Sequence, residues 1–579
     1  VPCPVGRRKR ETGRWKLLAV RPRQDVEGEE NTAPVATEVK PQATPGAAPG
    51  DRRPARTRLA ARVGCSVAGA LLLFLAFPPL DWWFCAPLGV ALLTLALYGA
   101  RPRRAAWLAY VGAFAFLLPT LAWVRPIGDD TWLALVAIES LFWAALGVLA
   151  SLVMRVRLWP LWVACLWVAQ EWARGLVPFG GFPWARLAFS QGESPYTGLA
   201  ALGGAPLVTF TVALTGALLS LLLAGLPGAL RRPRVVAGTL LAAIALPLLG
   251  LAVPRPGDEG GTVKIGVIQG NVPGRGMDFL GGEPAVVLRN HADETHRLAE
   301  AVRAGKLPKP DIVVWPENSS DIDPNRTAFA RDVIDSAAKD VGVPILTGII
   351  ALIGDEHRAT RSLIWDPVTG PGAYYDKRNL VPFGEFTPFK DLILALSDRA
   401  NLVGRQSIPG DRPGALRMGP VTVGAVSCYE VAFDGTVRDT VAAGGSPLIV
   451  QTNNASYALT NLPPQQLAMS KLRAVEHNRS VITTATTGIS AYVDPDGTVE
   501  WRTRELEPAM NVVTVPVRTR GTIATEVGAV PEWILILMGA GATAVALVSR
   551  KRTSNAIDTD VPPAAPARPE DHGYASEER

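Results

Sequence analysis

Cysteine and histidine are both scarce, with five of each among the 579 residues. No two cysteines form a CxxC pair and no Cys/His cluster exists, so structural zinc and a disulfide framework are not expected. Nothing else in the chain implies a metal or a cofactor. Charge is thin too, at 19% of residues against roughly 25% in soluble domains. The formal net charge of +6 sits at the two ends and in short loops. A nucleic-acid partner would want a basic stripe on a folded domain, and none is present. Methionine is missing before Met154 and the chain opens on Val1, so a non-standard or over-extended start is expected. The layout of a cleavable signal peptide is also absent.

What is abundant is apolar sequence, at 48% of residues, unevenly placed. Eight runs suit bilayer-crossing helices: 59–78, 84–100, 105–124, 132–153, 158–175, 205–226, 235–253 and 532–549. The predicted organisation is a disordered tail (1–57), seven spans (58–253), a water-facing domain (254–530), an eighth span (531–550) and a second disordered tail (551–579). The basic loops "RPRR" (101–104), "RVR" (155–157), "RRPR" (231–234) and "RKR" (550–552) fall on one side with the N-terminal tail. That side is expected to be cytoplasmic, which puts the domain outside. Between the fifth and sixth spans, "PFGGFPWARLAFSQ" combines aromatics with Gly and Pro, and is expected to supply interfacial anchors.

The water-facing domain alternates strand-like and helix-like stretches. "VKIGVIQGNV", "DIVVWPE", "PILTGIIAL", "VTVGAVSCYEV", "PLIVQTNN" and "VITTATTGI" are apolar runs separated by amphipathic helical segments. Continuous Val/Ile runs mean strands covered on both faces, hence an α/β layered domain.

Three predicted strands end on an ionisable residue: Glu317 in "IVVWPENSS", Lys377 in "YYDKRNLVPFGEF" and Cys428 in "AVSCYEV". Sites in α/β sheets gather at the carboxyl ends of strands, so these ends can converge. A thiol becomes a nucleophile when a base takes its proton or a cation stabilises the thiolate. Glu317 suits the base and Lys377 the cation. Each residue also has an ordinary alternative: a packed Cys in a Val/Ala strand, a solvated lysine, a loop acid.

"VVWPEN", "YDKRNLVPFGEF" and "SCYEV" resemble, in order and spacing, signature stretches of the nitrilase superfamily. Joined to eight spans, with "GGFPWARLAFSQ" and "IGVIQGNVP", they look like the apolipoprotein N-acyltransferase family over roughly 59–550. The resemblance implies an αββα sandwich and a Glu317–Lys377–Cys428 triad, supported by Glu385, Tyr429 and Glu430. It implies a fatty acyl chain passing from a phospholipid donor, through a cysteine thioester, to the terminal amine of a diacylated lipoprotein in the bacterial cytoplasmic membrane. Asn453, Phe279 and Trp184 are candidate substrate contacts. Two departures stand out. "NNASY" (453–457) places Asn454 and Ser456 where relatives commonly carry an acid and a tryptophan, and "GRGMDFLGG" lacks a tryptophan.

Two other functions remain open at this point. One is a membrane-tethered nitrilase-type amidase using water as acceptor; the other is a scaffold with a vestigial triad. The long tails also leave room for a cytoplasmic partner.

Overall fold

The computed structural model describes residues 53–225, 233–257, 260–274, 285–391 and 403–559. Phe279, the N-terminal tail to residue 52 and the C-terminal tail from 560 lie outside the described residues.

Helices stand where the apolar runs predict them. They are α1 (Arg53–Ala76), α2 (Cys85–Leu97), α3 (Pro102–Thr120), α4 (Asp129–Val153), α5 (Trp159–Arg174), α6 (Ala200–Gly225) and α7 (Pro233–Leu249), with Val530–Thr559 after the water-facing part. The last helix runs nine residues past the predicted boundary at 550. Among the described residues five segments are long and apolar enough to cross a membrane: Thr57–Ala76, Asp129–Val153, Thr197–Gly225, Pro233–Ala252 and Val530–Arg550. With only 13 residues, α2 reaches about 20 Å, less than the ~30 Å hydrocarbon core.

The α/β domain follows in order: β1 (Thr262–Gln269), α8 (Val286–Arg303), β2 (Ile312–Val314), α9 (Ala328–Val341), β3 (Ile345–Ile353), β4 (His357–Asp366), β5 (Gly370–Asp376), β6 (Gln406–Ser407), β7 (Ala415–Met418) and β8 (Val421–Ser427). After these come α10 (Asp434–Ala442), β9 (Leu448–Thr452), α11 (Leu462–His477), β10 (Val481–Ala485), β11 (Ala491–Val493), β12 (Val499–Arg502), β13 (Ala509–Pro516), α12 (Ile523–Val527) and α13 (Val530–Thr559). One sheet has the order β13-β1-β2-β3-β4-β5, with β6 beside β4; the other runs β12-β11-β10-β9-β8-β7. In each sheet three central strands are parallel, β1-β2-β3 and β8-β9-β10. Those strands are buried on both faces, which is why their sequences run apolar without alternation.

Three apolar layers hold the two sheets and their helices together. Between the sheets, Val263, Ile265 and Val267 of β1 share a core with Val423, Ala425, Ile449 and Ile482. Outside the first sheet, Ile268 packs with Leu288 and Leu298 of α8 and Ile334 of α9. Outside the second, Val426, Leu448 and Val450 pack with Val437 of α10 and Leu472 and Val475 of α11. The result is an αββα sandwich. The last of these cores continues into Trp123, Trp184 and Phe189 of the helical bundle, so α10 and α11 face the membrane module.

The segment between α5 and α6 keeps its expected role as interfacial anchor only in its first part, where Leu176, Val177 and Phe179 are exposed, and its later part turns inward. Trp184, Arg186, Ala188 and Phe189 are buried, because the segment is clamped between bundle and domain. Arg186 Nη1 donates to both carboxylate oxygens of Asp434 at 2.9 Å, and its Nε reaches Glu171 at 3.5 Å. Arg473 of α11 donates to the same Asp434 at 2.6 Å and to the Val431 carbonyl at 2.8 Å. Burial opposes ionisation of Asp434, but Arg186 and Arg473 outweigh it and hold the carboxyl well below its usual range. Nearby, α6 breaks at Gly203 and Gly204, the latter at φ +69. A Cβ on Gly204 would come within 2.5 Å of Glu476 Oε1, so glycine is what lets the kinked helix meet α11.

Candidate active site

Cys428 does not lie in a strand, contrary to the expectation for "VTVGAVSCYEV". β8 stops at Ser427, and Cys428 opens a short 3-10 turn with φ +47, a left-handed conformation costly for a residue with a side chain. A capping box enforces the turn: the Ser427 side chain accepts from the Glu430 backbone, and Glu430 accepts from Ser427 N at 2.8 Å. The strand is thereby ended one residue before the thiol, which is turned out of the sheet. The residue keeps partial exposure although protein surrounds its sulfur.

Glu430 is fully buried and does more than cap. Its carboxylate accepts from Tyr375 Oη at 2.8 Å, from Arg378 N at 2.6 Å and from Asn379 N at 3.1 Å. Burial raises its pKa, while the bonds from Ser427, Asn379 and Tyr375 and the charge of Lys377 pull the other way. Glu430 therefore ties the end of β5 to the Cys428 turn. Each bond to a charged acceptor contributes about 1.5–3 kcal/mol.

Lys377 follows β5 and is only 2% exposed. It is no solvated surface lysine. Its Nζ donates to Glu317 Oε1 at 3.0 Å and to Glu385 Oε1 at 3.1 Å. Burial disfavours the ammonium, but Glu317, Glu385, Cys428 and Glu430 more than offset this, and its pKa lies well above the ordinary lysine value. Glu385 is itself fixed, accepting from Thr360 Oγ1 at 2.9 Å and Val381 N at 2.8 Å.

Glu317 lies three residues past β2, where the chain leaves the sheet. That turn is pressed against β3: a Cβ on Gly348 would sit 2.2 Å from the Pro316 carbonyl and 2.7 Å from Glu317 Cα. Besides Lys377, Glu317 accepts from Ser427 Oγ at 2.7 Å and from Asn453 N at 3.1 Å. The ends of β2, β5, β8 and β9 thus meet at one carboxylate, as the strand-end argument expected. The Cys428 thiol is pushed up to about 12, first by burial and then by the Glu317 charge, with Lys377 and a Gln466 bond acting against them. At rest it is a neutral thiol.

The membrane module closes over this turn. Tyr429 Oη donates to the Gly181 carbonyl at 2.9 Å, and its ring stacks with Trp184 at 6.2 Å and 14°. Trp184 is 2% exposed, and its Nε1 donates to Gln465 Oε1 at 2.7 Å. It backs Tyr429 instead of standing open in a cleft. Gln465 in turn donates to the Thr120 carbonyl at 3.1 Å, which ties α11 to the end of α3.

Sequence reasoning missed Ser427, Thr360, Tyr375 and Gln466. Two had a local signal. Ser427 and Glu430 spell S-x-x-E, and Tyr375 precedes Lys377 by two residues at the end of β5. Thr360 and Gln466 arrive from distant sequence. Among the described residues no group of three or more His, Cys, Asp or Glu suits a metal ion.

Comparison with known proteins brings several matches. Residues 69–218 match the apolipoprotein N-acyltransferase N-terminal domain, and residues 289–524 match the carbon-nitrogen hydrolase domain. The apolipoprotein N-acyltransferase of Mycolicibacterium smegmatis is 39% identical over 523 residues, covering 85% of this chain and 86% of that protein. Those of Shewanella oneidensis and Azotobacter vinelandii are 28% and 30% identical, over 80% and 77% of this chain and 92% and 87% of their own. A solved nitrilase-superfamily amidase from Nesterenkonia AN1 overlaps 45% of this chain and 92% of its own at 20% identity. Its TM-score of 0.34 is too low to bear on the fold.

Proposed function

The chain belongs to the apolipoprotein N-acyltransferase family, and from that premise we propose how its site moves an acyl chain from a phospholipid to the terminal amine of a diacylated lipoprotein. Glu317, Lys377 and Cys428 carry the reaction. Because burial keeps the thiol neutral, Glu317 takes its proton as the sulfur attacks the ester carbonyl. A C–S bond forms, and the negative charge on the carbonyl oxygen is held by Lys377. Collapse breaks the ester C–O bond. Glu317 returns its proton to the departing alkoxide, which leaves as lysophospholipid.

The second half repeats these roles. The lipoprotein's α-amine attacks the thioester carbonyl and gives its proton to Glu317. Lys377 again holds the oxyanion, the C–S bond breaks, and Cys428 takes the proton back. Glu385 holds Lys377 in place, and Glu430 and Tyr429 hold the turn that presents the thiol. This is ping-pong covalent catalysis. Asn453, whose backbone N–H is bonded to Glu317, remains the candidate substrate contact nearest the triad.

The observation that carries the proposal is the bond from Tyr429, adjoining the thiol, to Gly181 of the membrane segment. An enzyme acting on small soluble amides needs no bundle against its nucleophile, whereas a lipid donor and a lipid-anchored acceptor both arrive from the bilayer. Eight spans, with the basic loops in the cytoplasm and the domain outside the bacterial inner membrane, fit this role.

The test uses protein purified in detergent, a phospholipid labelled in its acyl chain, and a synthetic diacylated lipopeptide. Label is expected in amide linkage to the lipopeptide. Label released only as free fatty acid would favour the hydrolase reading instead.

A further inference from the structure

The Cys428 sulfur receives one hydrogen bond from a side chain outside the triad, and the donor sits at the end of a directed relay. Gln466 is the fifth residue of α11, whose first turn carries Pro463 and Pro464. The side chain is 3% exposed. Its Nε2 donates to Cys428 Sγ at 3.6 Å, and its Oε1 accepts from Asn454 Nδ2 at 3.1 Å. Asn454 is 1% exposed, and its Oδ1 accepts from Thr452 Oγ1 at 2.6 Å.

The direction of the relay follows from its shortest link. At 2.6 Å the Thr452–Asn454 contact has the length of an O–H···O bond and is short for N–H···O, so Asn454 presents its oxygen to Thr452. Only its amino group then remains for Gln466. Gln466 must answer with its oxygen, which leaves its own amino group facing the sulfur. A thiolate accepts hydrogen bonds and cannot donate them, so this is the orientation that favours the charged nucleophile. Asn454 is also one of the departures noted in "NNASY". An aspartate here, accepting on both oxygens, would draw the Gln466 amino group to itself and turn the Gln466 oxygen toward the sulfur.

We propose that Gln466 is a further catalytic residue, donating to the Cys428 thiolate as it forms and as it leaves the thioester, and that Asn454 is a positioning residue that fixes which way Gln466 faces. The proposal rests on Cys428 being the nucleophile.

The experiment measures the rate of Cys428 alkylation by iodoacetamide against pH, at peptide level by mass spectrometry, on the full chain in detergent. It compares the parent with Gln466→Met, Asn454→Ala and the double variant. Methionine keeps the length and apolar stem of Gln466 and removes only the donor, and melting temperatures check folding. For Gln466→Met the pH–rate profile is expected to move to higher pH, with the neutral-pH rate falling roughly tenfold, as for loss of a bond to a charged group. Asn454→Ala should move it the same way by less. The double variant should match Gln466→Met alone, because Asn454 acts through Gln466. A Gln466→Met profile that superimposes on the parent's would overturn the proposal, as would an Asn454 effect of undiminished size in the Gln466→Met background. A parent protein that is not alkylated at Cys428 at any pH would remove the nucleophile itself. The two failures are thus distinguishable.

Discussion

A neutral thiol beside a carboxylate reacts only as fast as that carboxylate can take its proton, and this decides what each substitution in the triad does. Cys428→Ala should give no covalent adduct. Glu317→Gln keeps the size of the side chain and loses the base, so acylation should slow by roughly 10²–10⁴-fold in single-turnover kinetics. An unchanged rate would remove Glu317 from the mechanism. Lys377→Met acts twice. It takes away the proposed oxyanion partner, for a loss of roughly 10²–10³ in rate, and it leaves Glu317 and Glu385 facing each other without a cation. Breaking a buried pair in this way costs about 3–5 kcal/mol, so denaturant midpoints should fall along with activity. The three proposed reactive positions were legible because each follows closely on a strand end, and the S-x-x-E of Ser427 and Glu430 was there to be read. Gln466 was not legible. It is 38 residues from Cys428, and only the packing of α11 on the turn brings them together.

At the scale of elements, two buried histidines make the sandwich acid-sensitive. His291 of α8 is pushed down to about 4 by burial, against a bond to the Val287 carbonyl that works the other way. His477, at the end of α11, is pushed down to about 3 by burial together with Arg473 and Arg479. Folded, both are neutral; unfolded, both take a proton below about pH 6.5. Between those limits the unfolded chain binds more protons, so stability is lost as pH falls from about 6.5 toward 4. The melting temperature of the detergent-solubilised chain should fall over that window, and His291→Gln should flatten the fall. An identical slope in the variant would contradict this. The parallel strands that carry the site were readable as apolar runs, since both their faces are covered. Of the antiparallel strands, β5 was expected only from its end before Lys377, and β12 ("VEWR") was not expected, because its charge masks a strand that needs its neighbour to form.

For the whole molecule, the proposed topology puts the basic loops in the cytoplasm, and labelling in intact bacteria tests this. Val368, 89% exposed on the domain, and Arg157, on a basic loop, can each be replaced by cysteine. Val368→Cys should react with a membrane-impermeant maleimide in intact cells, and Arg157→Cys only after permeabilisation. The reverse pattern would invert the topology. Sequence hydropathy located all eight helices but overstated how uniformly they span, because α2 is short and α3 opens on charged residues. It also left the whole segment between α5 and α6 at the lipid interface, when only its first part, with Phe179 exposed, stands open, and Phe182 and Trp184 pack on Tyr429. That docking makes one working unit of bundle and sandwich, and its central consequence is chemical. After incubation with phospholipid, mass spectrometry of the Cys428 peptide should show a fatty acyl thioester, labile to hydroxylamine, that disappears as a diacylated lipopeptide gains the same chain. Transfer to the lipopeptide with Cys428 never acylated, or undiminished in Cys428→Ala, would contradict the account.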